Sequence, residues 1–339
     1  MLTDVLYATT EEGVKHAVID VTNPAFAVSA TDAELAVMEE QYILEAERQQ
    51  KFPAAPPAAL REALRNSMLG RGVLAATGTF LDGMSTYLLK LGPENLGTEA
   101  GPIDRRIAAS FPAFTARLRL QDMARLLADG LELCGTDEPQ RTMLLVNIGG
   151  GPASDSWNAL IVLACRLRAR LPPERAKLLA DGRVVIAVMD LDRHGPAFGG
   201  RAIEALCADG APLSGWHIAF RHCRYEWSDT GQLREALEEL RAGEARCGIS
   251  SEGGLFEYGS DVEIVSNLSA LHAGTAGDAI VVGSVTREGR PVSVSLIGNR
   301  VATRPRTIEA FRVLAGQAGW MVQEVVERPF SYNVRLVKV

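Results

Sequence analysis

The spacing of apolar positions changes near residue 142. Ahead of it, TDAELAVMEEQYILEAERQQ (31–50) sets apolar residues at helical spacing among acids. Thr31 or Asp32 can cap that helix, with Glu34 following in its first turn. FPAAPPAA (52–59) then ends it, because proline cannot continue a helix. Residues from about 58 to 92 read as helical again, punctuated by glycine. The loop GPENLGTEAGP follows, and then one long helix is expected from Ile103 to Leu133. No strand pair is expected in residues 1–135, which read as a helical accessory region or lid.

Beyond that point short apolar runs alternate with helical text. MLLVNI (143–148) is a continuous apolar strand, and GGGPASDSW and the helix NALIVLACRLRARL follow at once. VVIAVMDLD (184–192) is a second strand with an acidic end. WHIAFRHCRYEW and ARCGISSEGGLF are weaker strands, separated by SDTGQLREALEELRAG, with SDVEIVSNLSALHAG after them. DAIVVGSVTR is a strong strand, and the tail reads helix, strand, turn, strand. Strands alternating with helices of this length make parallel βαβ units buried on both faces. The closing strand–turn–strand is expected to put one antiparallel strand into the sheet. The expected fold is thus α/β and doubly wound, a mostly parallel Rossmann-like sheet over residues 136–339 behind the helical front, 1–135.

Composition narrows the classes of function. The 339 residues are 47% apolar and 23% charged, enough for a substantial core. A net charge of −7 gives no reason to expect a nucleic-acid or anionic-membrane partner. Cys134, Cys165, Cys207, Cys223 and Cys247 are scattered with no CxxC pair, as expected of reduced thiols. The five histidines show no HxxxH or HExxH spacing, so no dedicated zinc site is expected. The start MLTDVLYATTEEGVKHAV lacks the order of a signal peptide, and no apolar run nears the roughly 18 residues of a membrane span. A cytoplasmic protein is expected, and the acidic helix at 33–50 leaves a homodimer open.

The sharpest chemical feature is LLVNIGGGPASDSW, a strand that delivers three glycines to the start of a helix. Such a turn lets the backbone approach a ligand where a Cβ would clash, at the carboxyl edge where doubly wound sheets bind. Because Gly149, Gly150 and Gly151 do not make GxGxxG, dinucleotide binding is poorly supported. Asp190, with Asp192, ends the second strand, where an acid can accept both ribose hydroxyls of a nucleoside. It follows the glycines by about 40 residues rather than the usual roughly 20, an excess assigned to the connection LPPERAKLLADG.

On the glycine turn, Asp190 and the tail GWMVQEVVERPFSYNVRLVKV, residues 139–339 resemble the class I S-adenosylmethionine-dependent methyltransferase family. The resemblance implies a seven-stranded sheet with one antiparallel strand near its edge, and S-adenosylmethionine as cofactor. It implies Gly149 and Gly151 bordering the methionine part, Asp190 holding the ribose, and Tyr225, Glu226 and Trp227 near the adenine. The end of the fourth strand, SSEGGLFEYGSD, would face the reacting centre.

One position departs from the family. Two residues before the first glycine it usually has an acid, and here stands Asn147. A carboxylate there favours the cofactor's amine as ammonium, and an amide lacks that charge. The change is either neutral or marks an enzyme whose substrate amine is the nucleophile, as in the azetidine-2-carboxylate-forming cyclases or an aminocarboxypropyl transferase. The leading expectation is methyl transfer to a small-molecule acceptor, with a cyclase needing none. A cationic sulfonium calls for aromatic faces and neutral oxygens, for which Tyr87, Tyr225, Trp227, Tyr258, Ser250 and Ser251 are candidates. Glu252 reads either as a general base or as a structural carboxylate in the glycine-rich turn. Arg105 and Arg106 read as a carboxylate clamp or a solvated helix start. A non-catalytic binding protein and a nicotinamide oxidoreductase are the remaining classes.

Overall fold

The computed structural model describes residues 4–51, 58–76, 80–133, 141–170, 183–299 and 302–339. Cys134, most of the FPAAPPAA break and the connection LPPERAKLLADG lie outside them.

Seven strands form the central sheet: β3 (Met143–Ile148), β4 (Arg183–Asp190), β5 (His217–Arg224), β6 (Arg246–Ser251), β7 (Ile280–Thr286), β8 (Trp320–Glu327) and β9 (Ser331–Lys338). Their order across the sheet is β5-β4-β3-β6-β7-β9-β8. The first five run parallel, and β9 lies antiparallel between β7 and β8. This is the sheet implied by the family resemblance. β3 and β7 are buried almost throughout, which explains their unbroken apolar text.

Alternation along β3 divides the core in two, since successive side chains of a strand point to opposite faces. Leu145 packs on one face with helix α6 (Phe111–Leu133), α7 (Ser154–Arg170) and α8 (His194–Cys207). Leu144, Val146 and Ile148 pack on the other with α9 (Thr230–Glu239), α11 (Asp261–Gly274) and α13 (Ile308–Gln317). The short helix α10 (Leu255–Tyr258) follows β6, and α12 (Arg290–Asn299) follows β7. α6 touches the sheet through small residues. A Cβ on Gly130 would come within 2.5 Å of Ile280, and one on Gly248 within 2.8 Å of Leu127.

The front of the chain contains α1 (Asp32–Lys51), α2 (Ala58–Asn66), α3 (Met68–Ala75), α4 (Gly83–Lys90) and α5 (Pro102–Ala108). Thr31 caps α1 in a reciprocal box: its hydroxyl accepts from the Glu34 N–H, and the Glu34 carboxylate accepts from Thr31. Two expectations need correction. The single helix from Ile103 to Leu133 is two, divided at Ala109–Ser110. Pro112 sits in the first turn of α6, where its missing N–H costs nothing. The front also holds an antiparallel strand pair, β1 (Tyr7–Thr9) with β2 (Lys15–Ala17). These strands are too short to leave a period in the sequence. What fixes them is tertiary: the Tyr87 hydroxyl donates to the Ala17 carbonyl and accepts from the Ile19 N–H, and the Trp157 indole N–H donates to the Ile19 carbonyl. Among the described residues, no helix is long and apolar enough to cross a membrane.

Candidate functional site

The turn after β3 is tight and glycine-dependent. Gly149 and Gly151 have φ of +64° and +56°, a region L side chains rarely adopt. A Cβ on Gly149 would lie 2.9 Å from the Trp227 ring. Gly151 meets Gly83, the first residue of α4, so closely that a Cβ on either would come within 2.6 Å of the other's Cα. The helical front is therefore docked on the glycine turn by backbone against backbone.

Asp190 ends β4 beside this turn. Its Oδ2 accepts from the Gly151 N–H at 2.9 Å and its Oδ1 from the Asp192 N–H at 2.9 Å. Burial pushes the Asp190 carboxyl above its usual range, and these two backbone donors hold the rise in check. Asp192 is turned to its own chain and accepts from the N–H groups of His194 and Gly195. Together these elements border a cavity of about 470 Å³ at the carboxyl ends of β3, β4 and β6. That volume is in the range of small-molecule sites.

The cavity gathers many of the residues expected from the sequence. Gly149, Gly150, Asp190, Asp192, Tyr225, Glu226, Trp227 and Glu252 line it, and so does Tyr258. Tyr225 donates its hydroxyl to Asn267, whose amide in turn donates to the Trp227 carbonyl. Burial pushes both Tyr225 and Tyr258 phenols upward, so they stay protonated.

Other expected residues stand elsewhere. Tyr87 is fully buried in the core, its hydroxyl spent on Ala17 and Ile19, so it does not face the cavity. Ser251 donates to the Ile148 carbonyl and accepts from the Leu255 N–H, tying β6 to β3 and starting α10. Ser250 accepts from Asn147. Asn147 lies under the glycine turn, and its Nδ2 donates to Asp155 at 2.7 Å and to Ser250 at 3.1 Å. A Cβ on Gly150 would lie 2.2 Å from the Asn147 side chain, which explains the middle glycine. Arg105 donates to the Pro93 and Gly97 carbonyls, and so braces its own loop rather than clamping a carboxylate. Arg106 is exposed on α5. Glu11, Glu12 and His194 bring ligand-type atoms within 4.8 Å of one another, all three exposed and none lining the cavity.

Four buried charges form the part of the site that reasoning on the sequence missed. Lys90, at the end of α4, donates to Glu252 Oε2 at 2.5 Å. Arg119, on α6, donates through Nε to Glu252 Oε1 at 2.9 Å and through Nη1 to Glu257 Oε1 at 2.7 Å. Burial alone would raise the Glu252 carboxyl, but Lys90 and Arg119 outweigh it and hold it below its usual range. Glu252 is thus a locked anion with both oxygens engaged, which removes it as a general base. Behind it Asp155 is pushed up to about 6, first by burial and then by the Glu252 charge.

No family model matches the chain, and no curated protein matches its sequence. Solved structures do resemble it. A possible exported protein from Bordetella parapertussis is similar over 91% of this chain and 97% of that one, at 17% identity and a TM-score of 0.54. The mitomycin 7-O-methyltransferase MmcR shares 14% identity over 81% of this chain and 70% of its own, with a TM-score of 0.41. For the pyocyanin biosynthetic protein PhzM the values are 18%, 91%, 74% and 0.42. At these identities the likeness is one of fold, carried by the first of the three over nearly the whole chain.

Proposed function

We propose that the protein binds S-adenosylmethionine in the 470 Å³ cavity and transfers its methyl group to a small-molecule acceptor. The observation that carries this reading is the Gly151–Asp190 hydrogen bond, which joins the glycine turn to the acid at the neighbouring strand tip on one cavity wall.

The residues present fit the group. The glycine turn leaves room for an amino-acid moiety against bare backbone at Gly149 and Gly150. Asp190 keeps a lone pair on each oxygen for ribose hydroxyls, and Glu226 and Trp227 border the adenine position. When bound, the cofactor supplies an electrophilic methyl carbon on a cationic sulfur. The chain supplies alignment and exclusion of water. Lys90 and Arg119 against Glu252 and Glu257 sum to zero formal charge, so this wall does not trap the sulfonium in its ground state. In this reading residues 1–135 are the layer that carries the lid, with Leu81, Asp82 and Gly83 on the cavity wall, and residues 136–339 form the catalytic part.

A second reading has a specific observation behind it. Neither Asn147, which is turned beneath the loop, nor Glu252, which is neutralised by two cations, offers the cofactor's amine a free carboxylate. An amine kept unprotonated is a nucleophile: its attack on the side-chain carbon bonded to sulfur would break that C–S bond, expel methylthioadenosine and, on loss of a proton to solvent, leave azetidine-2-carboxylate. An external amine attacking the same carbon would make the protein an aminocarboxypropyl transferase.

Calorimetry with S-adenosylhomocysteine tests the common element: wild type binds, and Asp190→Ala binds at least about tenfold more weakly, the loss of a charge-assisted hydrogen bond. Wild type that fails to bind sinks both readings. Incubation with S-adenosylmethionine alone separates them, since methylthioadenosine without an acceptor means cyclisation. S-adenosylhomocysteine formed only with an acceptor means methyl transfer, and methylthioadenosine formed only with an added amine means aminocarboxypropyl transfer.

A further inference from the structure

Beside the cavity lies a second chamber of about 200 Å³. The two meet at Leu81, Thr86, Gly253 and Tyr258, which line both. The walls of the smaller chamber are mainly apolar: Leu89 from α4, Pro112 and Ala116 from α6, Val292 from α12, and Phe330. Its polar residues include Arg119 and Glu257, and each is only partly satisfied. Arg119 spends Nε on Glu252 and Nη1 on Glu257, while its Nη2 has no hydrogen-bond partner among the described residues. Glu257 Oε1 accepts from Arg119 and from the Ser284 hydroxyl at 2.9 Å, while its Oε2 likewise has none.

The two unfilled atoms flank one spot. A Cβ on Gly253 would sit 3.1 Å from Arg119 Nη2 and 4.0 Å from Glu257 Oε2. Gly253 has no Cβ, and its φ of +72° is one that L side chains rarely adopt. The chamber thus presents one fixed donor and one fixed acceptor side by side over bare backbone. The bonds that hold both side chains in place leave those two valences over.

We propose that this chamber holds the acceptor and reads a neutral head in which an N–H donor adjoins a carbonyl, as in a carboxamide or a ring lactam. The N–H donates to Glu257 Oε2 and the carbonyl accepts from Arg119 Nη2, while the ring lies against the apolar wall. An anionic head would face the Glu257 carboxylate, and a cationic one the Arg119 guanidinium. Each then leaves one buried charged group unmatched, which is the costlier error. Naming the occupant an acceptor rests on the methyl-transfer reading, whereas the preference for a head group does not.

Three probes of one shape, benzamide, benzoate and benzamidine, titrated by calorimetry into the full-length protein with and without S-adenosylhomocysteine, test this. Benzamide is expected to bind at least about tenfold more tightly than either charged probe, the scale of one hydrogen bond to a charged group. Glu257→Gln removes the anion and is expected to reverse the order in favour of benzoate. Thr303→Trp, which fills the smaller chamber, is expected to abolish benzamide binding while leaving that of S-adenosylhomocysteine unchanged. Should Glu257→Gln fail to fold, the wild-type ranking and Thr303→Trp decide. Equal affinity for a charged probe, no binding by any probe, or benzamide binding that survives Thr303→Trp overturns the inference. If S-adenosylhomocysteine still binds in those cases, only the inference falls. If it does not bind while benzamide ranks first, only the cofactor reading falls.

Discussion

Among the described residues two ionic clusters anchor α6, and they differ in what they leave over. Arg328, in the β8–β9 turn, donates through Nε and Nη2 to both oxygens of Asp122 on α6, at 2.7 and 2.9 Å. Asn333 adds a third donor to Asp122 at 2.9 Å, and its own Oδ1 is taken by Ser331. This cluster ties α6 to the edge hairpin, and both Asp122 oxygens are taken. Lys90, Arg119, Glu252 and Glu257 equally tie α4 and α6 to the end of β6, but there Arg119 Nη2 and Glu257 Oε2 remain open toward a chamber. Burying charge costs several kcal/mol per ion, so a cluster survives only when its members satisfy one another. Where the carboxylate is fully taken up, as at Asp122, the cluster is a fastener. Where two valences are left facing a chamber it also serves as a recognition surface.

The largest effect that tests this contrast is expected from Glu252→Gln. Glu252 has a side chain only 2% exposed, so the change strands Lys90 and leaves Arg119 with Glu257 alone. Denaturant unfolding should show a loss of about 3–5 kcal/mol. Asp122→Asn should cost less, roughly 1–3 kcal/mol, because Arg328 is 21% exposed and can turn to water. The contrast sharpens with ligand. A ligand that binds only the native state raises stability by mass action. On the acceptor proposal, benzamide should raise the Tm of Asp122→Asn as much as that of wild type, and that of Glu252→Gln, which loosens Arg119, much less. Equal responses would mean that both clusters are only fasteners.

How much of this was readable in the sequence follows from the range of each signal. β3, β4 and β7 are covered on both faces and therefore print as continuous apolar runs, and the glycine turn and Asp190 sit at their ends. Thr31 and Glu34 announce α1 because a cap is a four-residue device. The charged cluster left no such mark. Lys90 and Glu252 are 162 residues apart, and Arg119 and Glu252 are 133 apart, so no local spacing links them. At the end of a short helix Lys90 reads as a solvated last-turn cation. Arg119 reads as one more basic residue in an amphipathic helix. Tyr87 stood in the sequence as a promising polar aromatic, but the β1–β2 pair that takes up its hydroxyl is only three residues per strand. α12 was equally unmarked, since its VSVSL text mixes β-branched residues with serine and lacks a helical period.

A smaller effect, distinguished by its sign, is expected at Asp155. Its Oδ1 accepts from Asn147, while Oδ2 has no partner among the described residues. Its pKa stands at about 6 against an ordinary 3.8. A buried acid with a raised pKa holds its proton longer in the folded state. Its contribution to stability is therefore intact below pH 3.8 and falls as the pH rises toward 6. Asp155→Asn removes that fall. Relative to wild type the variant should gain on the order of 2 kcal/mol between pH 4 and pH 7, as read by urea unfolding at both values. The same change at Glu252, whose pKa is lowered, should show the opposite sign, with the deficit of the variant shrinking as the pH drops. Parallel pH profiles for the two variants would contradict this layout of charge around Glu252.

The smallest effect belongs to an ion pair with nothing buried behind it. Arg241 and Glu244 pair three residues apart, with side chains 73% and 67% exposed. Water already satisfies both groups and screens their attraction, so Glu244→Ala should change stability by less than about 0.5 kcal/mol. Unfolding of this variant in low and high salt gives the baseline for the contrast between the clusters. If it cost as much as Asp122→Asn, burial would not be what gives the inner pairs their strength, and a fastener could not be told from a surface contact by its surroundings.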